Sequence, residues 1–164
     1  MRIAQATVSV LVVNLFTWSA DWAWGLPLIV LTVVIHVLGL GLISKKAATA
    51  GEGIFDRRRH PTAVFVMVVG ATTLLATCLH ALEAGLWAIA YLILGALPDL
   101  KHSMLYSLNA ITSYGHTDLS LPDHWHLMGA LEALNGWLLF GLTTAFLFAV
   151  IEKVWLQANR LVHR

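Results

Sequence analysis

Long apolar runs separated by short polar stretches dominate the chain. The runs extend from Ile3 to about Ser19, from Leu26 to Ile43, from Thr62 to Leu97 and from about Leu127 to Ile151. Each run suits a helix that crosses a hydrocarbon core of about 30 Å. The stretch SLNAITSYGHTDLSLP, residues 107–122, is too polar for a spanning helix. The pattern predicts an all-α membrane protein with four transmembrane helices and a re-entrant pore helix and loop between the third and fourth.

The composition agrees with a membrane location. Of the 164 residues, 59% are hydrophobic and only 12% are charged. A soluble domain of this size cannot bury so much apolar surface, so the lipid bilayer is expected to be a partner. The formal net charge of +1 gives no sign of a nucleic-acid partner. With Cys78 as the single cysteine, no intrachain disulfide is possible.

Basic residues concentrate in the polar loop after the second run and in the C-terminal tail. They are Lys45, Lys46, Arg57, Arg58 and Arg59 in the loop, and Lys153, Arg160 and Arg164 in the tail. Because Lys- and Arg-rich segments stay in the cytoplasm, we expect both regions, and the N-terminus, on the cytoplasmic side of a plasma or inner membrane. The first run also resembles a secretory signal, but a retained anchor helix is favoured.

These features divide the chain into four parts. They are two N-terminal helices (1–44), a basic cytoplasmic loop (45–61), a third part (62–151) and a short cytoplasmic tail (152–164). The third run is longer than a bilayer is thick, since 36 residues of helix span about 54 Å. It is expected either to tilt and project from the membrane or to bend between His80 and Gly85.

The polar stretch carries the candidate chemistry. Asp99 is placed to cap a helix through Leu100 to Ala110, and Thr112 to Asp118 would follow as an extended strand. Non-helical backbone at membrane depth persists only where protein or a water-filled cavity satisfies its polar groups. Four such strands around one axis can aim backbone carbonyls inward and replace the hydration shell of an ion.

From His80 to Trp155 the chain resembles the pore module of the potassium channel superfamily, particularly the small bacterial two-transmembrane type. LYSLNAITSYGHTDLSLP is similar to the family's pore helix, filter and following proline, and HALEAGLWAIAYLILGALP resembles its outer helix. ALEALNGWLLFGLTTAFLF resembles the inner helix, with Gly136 at the hinge. The resemblance implies a homotetramer, with a dimer as the alternative, that passes a monovalent cation such as K⁺ or Na⁺.

The filter departs from the family pattern TTxGYGD. The residues aligned with it are Thr112, Ser113, Tyr114, Gly115, His116, Thr117 and Asp118. His116 stands where the family has tyrosine, and Thr117 where it has the second glycine. Since that glycine takes a positive φ, a β-branched residue there costs about 1–3 kcal/mol. We therefore expect a non-standard filter with weak potassium selectivity, whose conduction falls as His116 is protonated.

Other polar residues lie within the apolar runs. Glu132 is expected to hydrogen-bond behind the filter. Asn135 either faces the central cavity or makes an interhelical hydrogen bond. His80 and Glu83, together with Glu132, have the ligand spacing of metal-binding helical bundles. For the pair His80 and Glu83 a structural role is favoured, in which Glu83 lies near the outer interface or pairs with His80 to tie helices together.

Metal and haem sites are weaker predictions. His124 and His126 in the sequence HWH could bind Zn²⁺ or Cu²⁺ through imidazole, but solvated histidines are favoured and no cofactor is expected. His36 and His80 fall at different apparent depths, which argues against a bis-histidine haem. No combination of nucleophile and base predicts an enzyme. The alternative to a channel is a non-conducting descendant of the same fold, acting as a metal- or ligand-binding scaffold or as a complex subunit.

Overall fold

The computed structural model describes the backbone of residues 2–55, 61–115 and 119–162, and side chains within 18–47, 62–115 and 119–157. These parts are mainly helical and contain no strand. The helices are α1 (Arg2–Phe55), α2 (Pro61–Ile93), α3 (Leu100–Ile111) and α4 (His126–Val162). A short 3₁₀ turn, Asp123–Trp125, leads into α4.

Within the described residues, three helices are long and apolar enough to cross a membrane. The qualifying stretches are Trp18–Ala47, Thr62–Ile93 and Asp123–Gln157. The remaining helix, α3, has 12 residues and is therefore about 18 Å long. It is too short to cross a bilayer core of about 30 Å.

The first two apolar runs belong to one helix, which differs from the sequence prediction. α1 continues through the tryptophan-rich stretch around Asp21 and through Pro27. Proline lacks a backbone N–H and usually ends or kinks a helix, yet here helix lies on both sides of it. The predicted loop at 45–61 is also shorter, because α1 extends to Phe55 and α2 begins at Pro61.

α2 follows the prediction of a long third helix. Pro61 is its first residue, a position where the missing N–H costs nothing because the first turn has no intrahelical partner. The helix is uninterrupted between His80 and Gly85, so no break separates two shorter segments there. At its end Gly95 adopts a φ of 64°, and the Ala96 N–H donates to the Tyr91 carbonyl at 2.9 Å, which closes the helix in a Schellman motif.

The described structure consists of two compact units. The first contains residues 1–33 and 83–137 and the second contains 34–82 and 138–164. In the first unit, aromatic and aliphatic side chains of α2, α3, α4 and the segment that precedes α4 form much of the core. They are Trp87, Tyr91, Tyr106, Leu121, Met128 and Leu131. In the second unit, two smaller clusters form the core, with Val64, Val68, Val150 and Val154 in one and Leu40, Ile43 and Ala76 in the other.

Candidate functional site

The N-terminus of α3 is fixed by Asp99, as predicted. Its carboxylate accepts a hydrogen bond from the backbone N–H of His102 at 2.9 Å, and its other oxygen lies 2.7 Å from His102 Nδ1. The backbone bond from His102 is the main cause, and the side-chain bond the second, of an Asp99 pKa below its ordinary value. A side-chain acceptor at this position satisfies an N–H group that the helix itself leaves without a partner.

This cap is expected to depend on pH. Because the pKa of Asp99 is lowered in the folded protein, the cap stabilises α3 fully above the ordinary aspartate pKa of about 3.9 and is lost as the pH falls through the lowered value. Asp99→Ala should speed hydrogen exchange at residues 100–103 at neutral pH, and Asp99→Asn should speed it less. Unchanged exchange in Asp99→Ala would contradict the capping role. The measurement is hydrogen–deuterium exchange with mass spectrometry on the protein in micelles.

The buried face of α3 is polar and bonds to the helices on either side. Ser107 Oγ lies 2.7 Å from the Ala84 carbonyl of α2 and makes a short hydrogen bond with Glu132 of α4. The Tyr91 hydroxyl donates to the other oxygen of Glu132 at 2.7 Å. Glu132 and Ser107 are completely buried. The Glu132 carboxyl group thus faces the buried side of α3 and is hydrogen-bonded to α2 and α3 within the first unit.

Ser107 has one hydroxyl proton but contacts two acceptor groups. A carbonyl oxygen can only accept, so when the hydroxyl donates to Ala84, the bond to Glu132 requires a proton on the carboxyl group. When the hydroxyl donates to Glu132, the Ala84 carbonyl keeps only its helical partner. Both arrangements hold α3 in place, and both need a hydrogen-bonding group at position 132.

The C-terminus of α3 is closed by the same motif that closes α2. Ser113 has a φ of 54°, its N–H donates to the Ala110 carbonyl at 2.9 Å, and the Tyr114 N–H donates to the Asn109 carbonyl at 3.0 Å. These two bonds define a Schellman motif with Ser113 in the left-handed position that glycine usually occupies. The positive φ of Ser113 is therefore explained by the end of the helix.

The residues directly after α3 are exposed, and their carbonyls have no described backbone donor. Thr112, Ser113, Tyr114 and Gly115 are all exposed, and Gly115 has a φ of 93°. Within the part of the chain that the structure describes, no backbone N–H donates to the carbonyls of these four residues. We call residues 112–115 the carbonyl segment. Its position is fixed by Trp137 of α4, whose indole Nε1 donates to Ser113 Oγ at 3.0 Å.

Gly136 brings α4 close to the end of α3. A Cβ atom at this position would collide with the backbone of Ile111, including its carbonyl oxygen and Cα. Gly136 was predicted as a hinge, and within the protomer its lack of a side chain permits this close backbone contact. Its neighbour Asn135 is completely buried and donates through Nδ2 to Thr32 Oγ1 of α1 at 2.8 Å. Of the two alternatives for Asn135, the protomer contains the interhelical hydrogen bond.

The remaining predicted filter residues, His116, Thr117 and Asp118, lie outside the described residues, and their roles stay predictions.

The three residues with the ligand spacing of a metal site are divided between the units. His80 lies in the second unit and Glu83 in the first. Glu83 is completely buried, and its place near an outer interface stays a prediction. Both carboxylate oxygens of Glu132 bond to Ser107 and Tyr91.

The HWH histidines lie where α4 begins. His124 stacks against Trp125 with ring centres 5.6 Å apart, and His126 Nε2 donates to the Leu121 carbonyl at 2.6 Å. Among the described residues, no cluster of three metal-ligating side chains includes either histidine. The binding of Zn²⁺ or Cu²⁺ here stays a prediction, for which the described residues supply no third ligand.

The sequence analysis missed Ser107 and Tyr91, although a signal was available. Ser103 and Ser107 are four residues apart, so they lie on one face of the α3 helix, and Tyr106 and Ala110 continue that face. A short helix with small polar residues on its buried side requires polar partners from its neighbours.

Comparison with protein-family models, curated proteins and solved structures found no match.

Proposed function

We propose that this chain is one subunit of an oligomeric pore that lets monovalent cations cross a membrane. Residues 112–115 would line the ion path, and His116, Thr117 and Asp118 would complete it. The observation that carries this proposal is the carbonyl segment, four successive exposed residues whose carbonyls accept no bond from a described backbone N–H.

The chemistry of the segment suits a cation. Carbonyl oxygens in a short non-helical segment can replace the hydration shell of K⁺ or Na⁺, and at membrane depth they need such a partner or water. The segment also follows the C-terminal end of α3, where the helix dipole contributes partial negative charge. Both effects favour a cation over an anion or a neutral solute.

A single protomer supplies only one row of oxygens, so the proposal requires several copies around an axis. The potassium-channel resemblance implies four. The exposed face of α4 beside the carbonyl segment includes Leu134 and Trp137, exposed by 55% and 68% respectively. Residues three positions apart lie on one face of a helix, so these two side chains form an apolar patch that suits contact with a neighbouring copy.

The same proposal includes an orientation in the membrane. In the second unit, Ser44 and Ala47 of α1 and Lys153 of α4 line one small cavity, so the basic ends of these helices lie together. Positive charge of this kind favours the cytoplasmic side. If α1 crosses once, as its unbroken course from Arg2 suggests, its N-terminus lies on the opposite side. The cytoplasmic N-terminus expected from the sequence would need a second crossing, which one unbroken helix does not make.

Cation flux into liposomes tests the proposal. Purified protein should carry K⁺ or Na⁺ into vesicles and should have the mass of a tetramer in mild detergent. Gly115→Ala is expected to lower the flux at least about tenfold, because a Cβ is disfavoured at a φ of 93°. Gly141→Ala is the matched control, since no atom lies within 4 Å of its added Cβ.

Two results would contradict the pore. One is the absence of flux for either cation from a correctly folded protein, and the other is equal flux from wild type and Gly115→Ala. A silent protein that is a dimer or monomer would favour the non-conducting scaffold instead.

A further inference from the structure

Two histidines from different helices meet in the second unit. They are His36 of α1 and His80 of α2, and their imidazole ring centres lie 5.0 Å apart. Thr143 of α4 contacts both, since its Oγ1 lies 3.0 Å from His36 Nε2 and 2.9 Å from His80 Nε2. His36 is completely buried and Thr143 is 8% exposed. The expectation from the sequence that these histidines lie at different depths is therefore wrong.

A carboxylate on α2 completes the group. Glu83 is completely buried and follows His80 by three residues, so both side chains lie on one face of the helix. Because α2 is uninterrupted here, the helix itself sets the position of the carboxylate relative to His80. One ligand atom from each of His36, His80 and Glu83 can be chosen so that all three atoms lie within 4.8 Å of one another.

We propose that His36, His80 and Glu83 form a binding site for one divalent transition-metal ion of the Zn²⁺ type. Two imidazoles and one carboxylate are a ligand set that such ions use, with a further position for water or another ligand. Metal–ligand bonds of about 2.1 Å place tetrahedral ligand atoms about 3.4 Å apart, so small side-chain movements would bring the three ligand atoms to an ion. Mg²⁺ and Ca²⁺ prefer oxygen ligands, and two imidazole nitrogens select against them.

This ligand set differs from the one that the sequence predicted. The sequence analysis combined His80 and Glu83 with Glu132, but both carboxylate oxygens of Glu132 are hydrogen-bonded within the first unit. The proposal therefore takes His36 as the third ligand. Spacing along the chain identifies ligands that share a helix, whereas His36 comes from a different helix and could not be found in that way.

The contact of Thr143 with both imidazoles also favours a metal site. Hydrogen bonds from outside the ligand set orient the rings of metal-binding histidines, and here one hydroxyl from α4 lies within hydrogen-bond distance of both rings. The neighbouring Thr144 instead donates to the Phe140 carbonyl of its own helix at 2.8 Å. That local bond is the ordinary arrangement for threonine in an apolar helix.

The charges on the three helices suit a bound cation. No lysine or arginine occurs in residues 3–44, 61–93 or 126–152, and buried ionisable groups in spanning helices are usually paired or bind an ion. A divalent ion between the imidazoles and Glu83 would add positive charge beside the carboxylate. The three ligands also have further interactions, and the ion must replace those that use its ligand atoms. The site contains no residue of 112–118, so it is independent of the proposed pore.

Zinc binding by the full chain in lipid nanodiscs tests the site. The protein is treated with a chelator, the chelator is removed, and Zn²⁺ is added in a calorimetric titration. We expect one bound Zn²⁺ per chain and no binding of Mg²⁺ under the same conditions. X-ray absorption at the zinc edge, which requires no variant, should show two imidazole ligands and bond lengths of about 2.0–2.2 Å.

Single substitutions identify the ligands. His36→Gln and Glu83→Gln should each weaken zinc binding by at least about 100-fold, because each removes a ligand, and Thr143→Val should weaken it by about tenfold, because it removes only the outer hydroxyl. Thr144→Val is the matched control on α4, and His124→Gln removes a histidine outside the group. Both should bind zinc as the wild type does. Circular dichroism and thermal unfolding of each variant establish that it is folded.

Four results would overturn the proposal. They are the absence of zinc binding by the folded wild type, a zinc site with fewer than two imidazole ligands, and wild-type affinity in the folded His36→Gln and Glu83→Gln variants. The fourth is the loss of zinc binding in His124→Gln, which would place the metal at the start of α4 instead.

Discussion

Glu132→Ala is expected to lower the free energy of unfolding by about 2–4 kcal/mol. The substitution leaves a cavity in the core of the first unit and removes the acceptor of the buried Tyr91 hydroxyl and a partner of Ser107. Each buried hydroxyl that loses its partner costs about 1–3 kcal/mol, and truncation of a large buried side chain adds to that cost. Denaturant titration of the protein in micelles, followed by circular dichroism, measures the change.

Glu132→Gln is the informative comparison. The glutamine carbonyl can accept from Tyr91, and the amide N–H can donate to Ser107 while Ser107 donates to the Ala84 carbonyl. We therefore expect Glu132→Gln to retain most of the stability that Glu132→Ala loses. If both variants were equally destabilised, the carboxyl group would be needed for its charge, and the hydrogen-bond account would be wrong.

Gly136→Ala should cost about 1–3 kcal/mol and displace the end of α3. The added Cβ meets the backbone of Ile111, and a backbone cannot rotate away from a collision as a flexible side chain can. Overpacking in a close-packed interior has costs of this size. Because Trp137 is the next residue and bonds to Ser113, its fluorescence should change as well. Denaturation and fluorescence measurements on the same sample report the two effects.

Gly141→Ala controls for the general effect of alanine in α4. Its added Cβ would contact nothing within 4 Å, and alanine is a better helix former than glycine by about 1 kcal/mol. This variant should be as stable as wild type or slightly more so. Equal stability of Gly136→Ala and Gly141→Ala would mean that the approach of α4 to Ile111 is looser than the structure indicates.

The local part of the fold followed from the sequence. A helix from Leu100 to Ala110 capped by Asp99 was predicted, and α3 runs from Leu100 to Ile111 with Asp99 as its cap. This prediction succeeded because capping depends on residues three positions apart. The prediction of two separate helices for the first two apolar runs was wrong, because Pro27 and the polar residues near Asp21 resemble a break but lie within α1.

Contacts between residues that are distant in the sequence could not be predicted in the same way. The imidazole ring centres of His36 and His80 lie 5.0 Å apart, although the sequence analysis placed these residues at different depths. Their proximity depends on the relative position of α1 and α2, and hydropathy along the chain assigns depth to each run separately. The bond between Asn135 and Thr32 joins residues 103 positions apart. The sequence left both roles of Asn135 open because a buried amide in a helix can face either a cavity or a neighbouring helix.

The bonds of Ser107 also determine how α3 can turn. Apolar packing resists separation of two helices but allows one to roll against the other, whereas hydrogen bonds have preferred directions. Ser107 contacts both Ala84 and Glu132, which lie on different helices, so rolling α3 about its long axis would break at least one contact. The rotation of α3 about its long axis is thereby fixed. The directions of the carbonyl oxygens in the segment that follows α3 therefore depend on the side chain of Ser107.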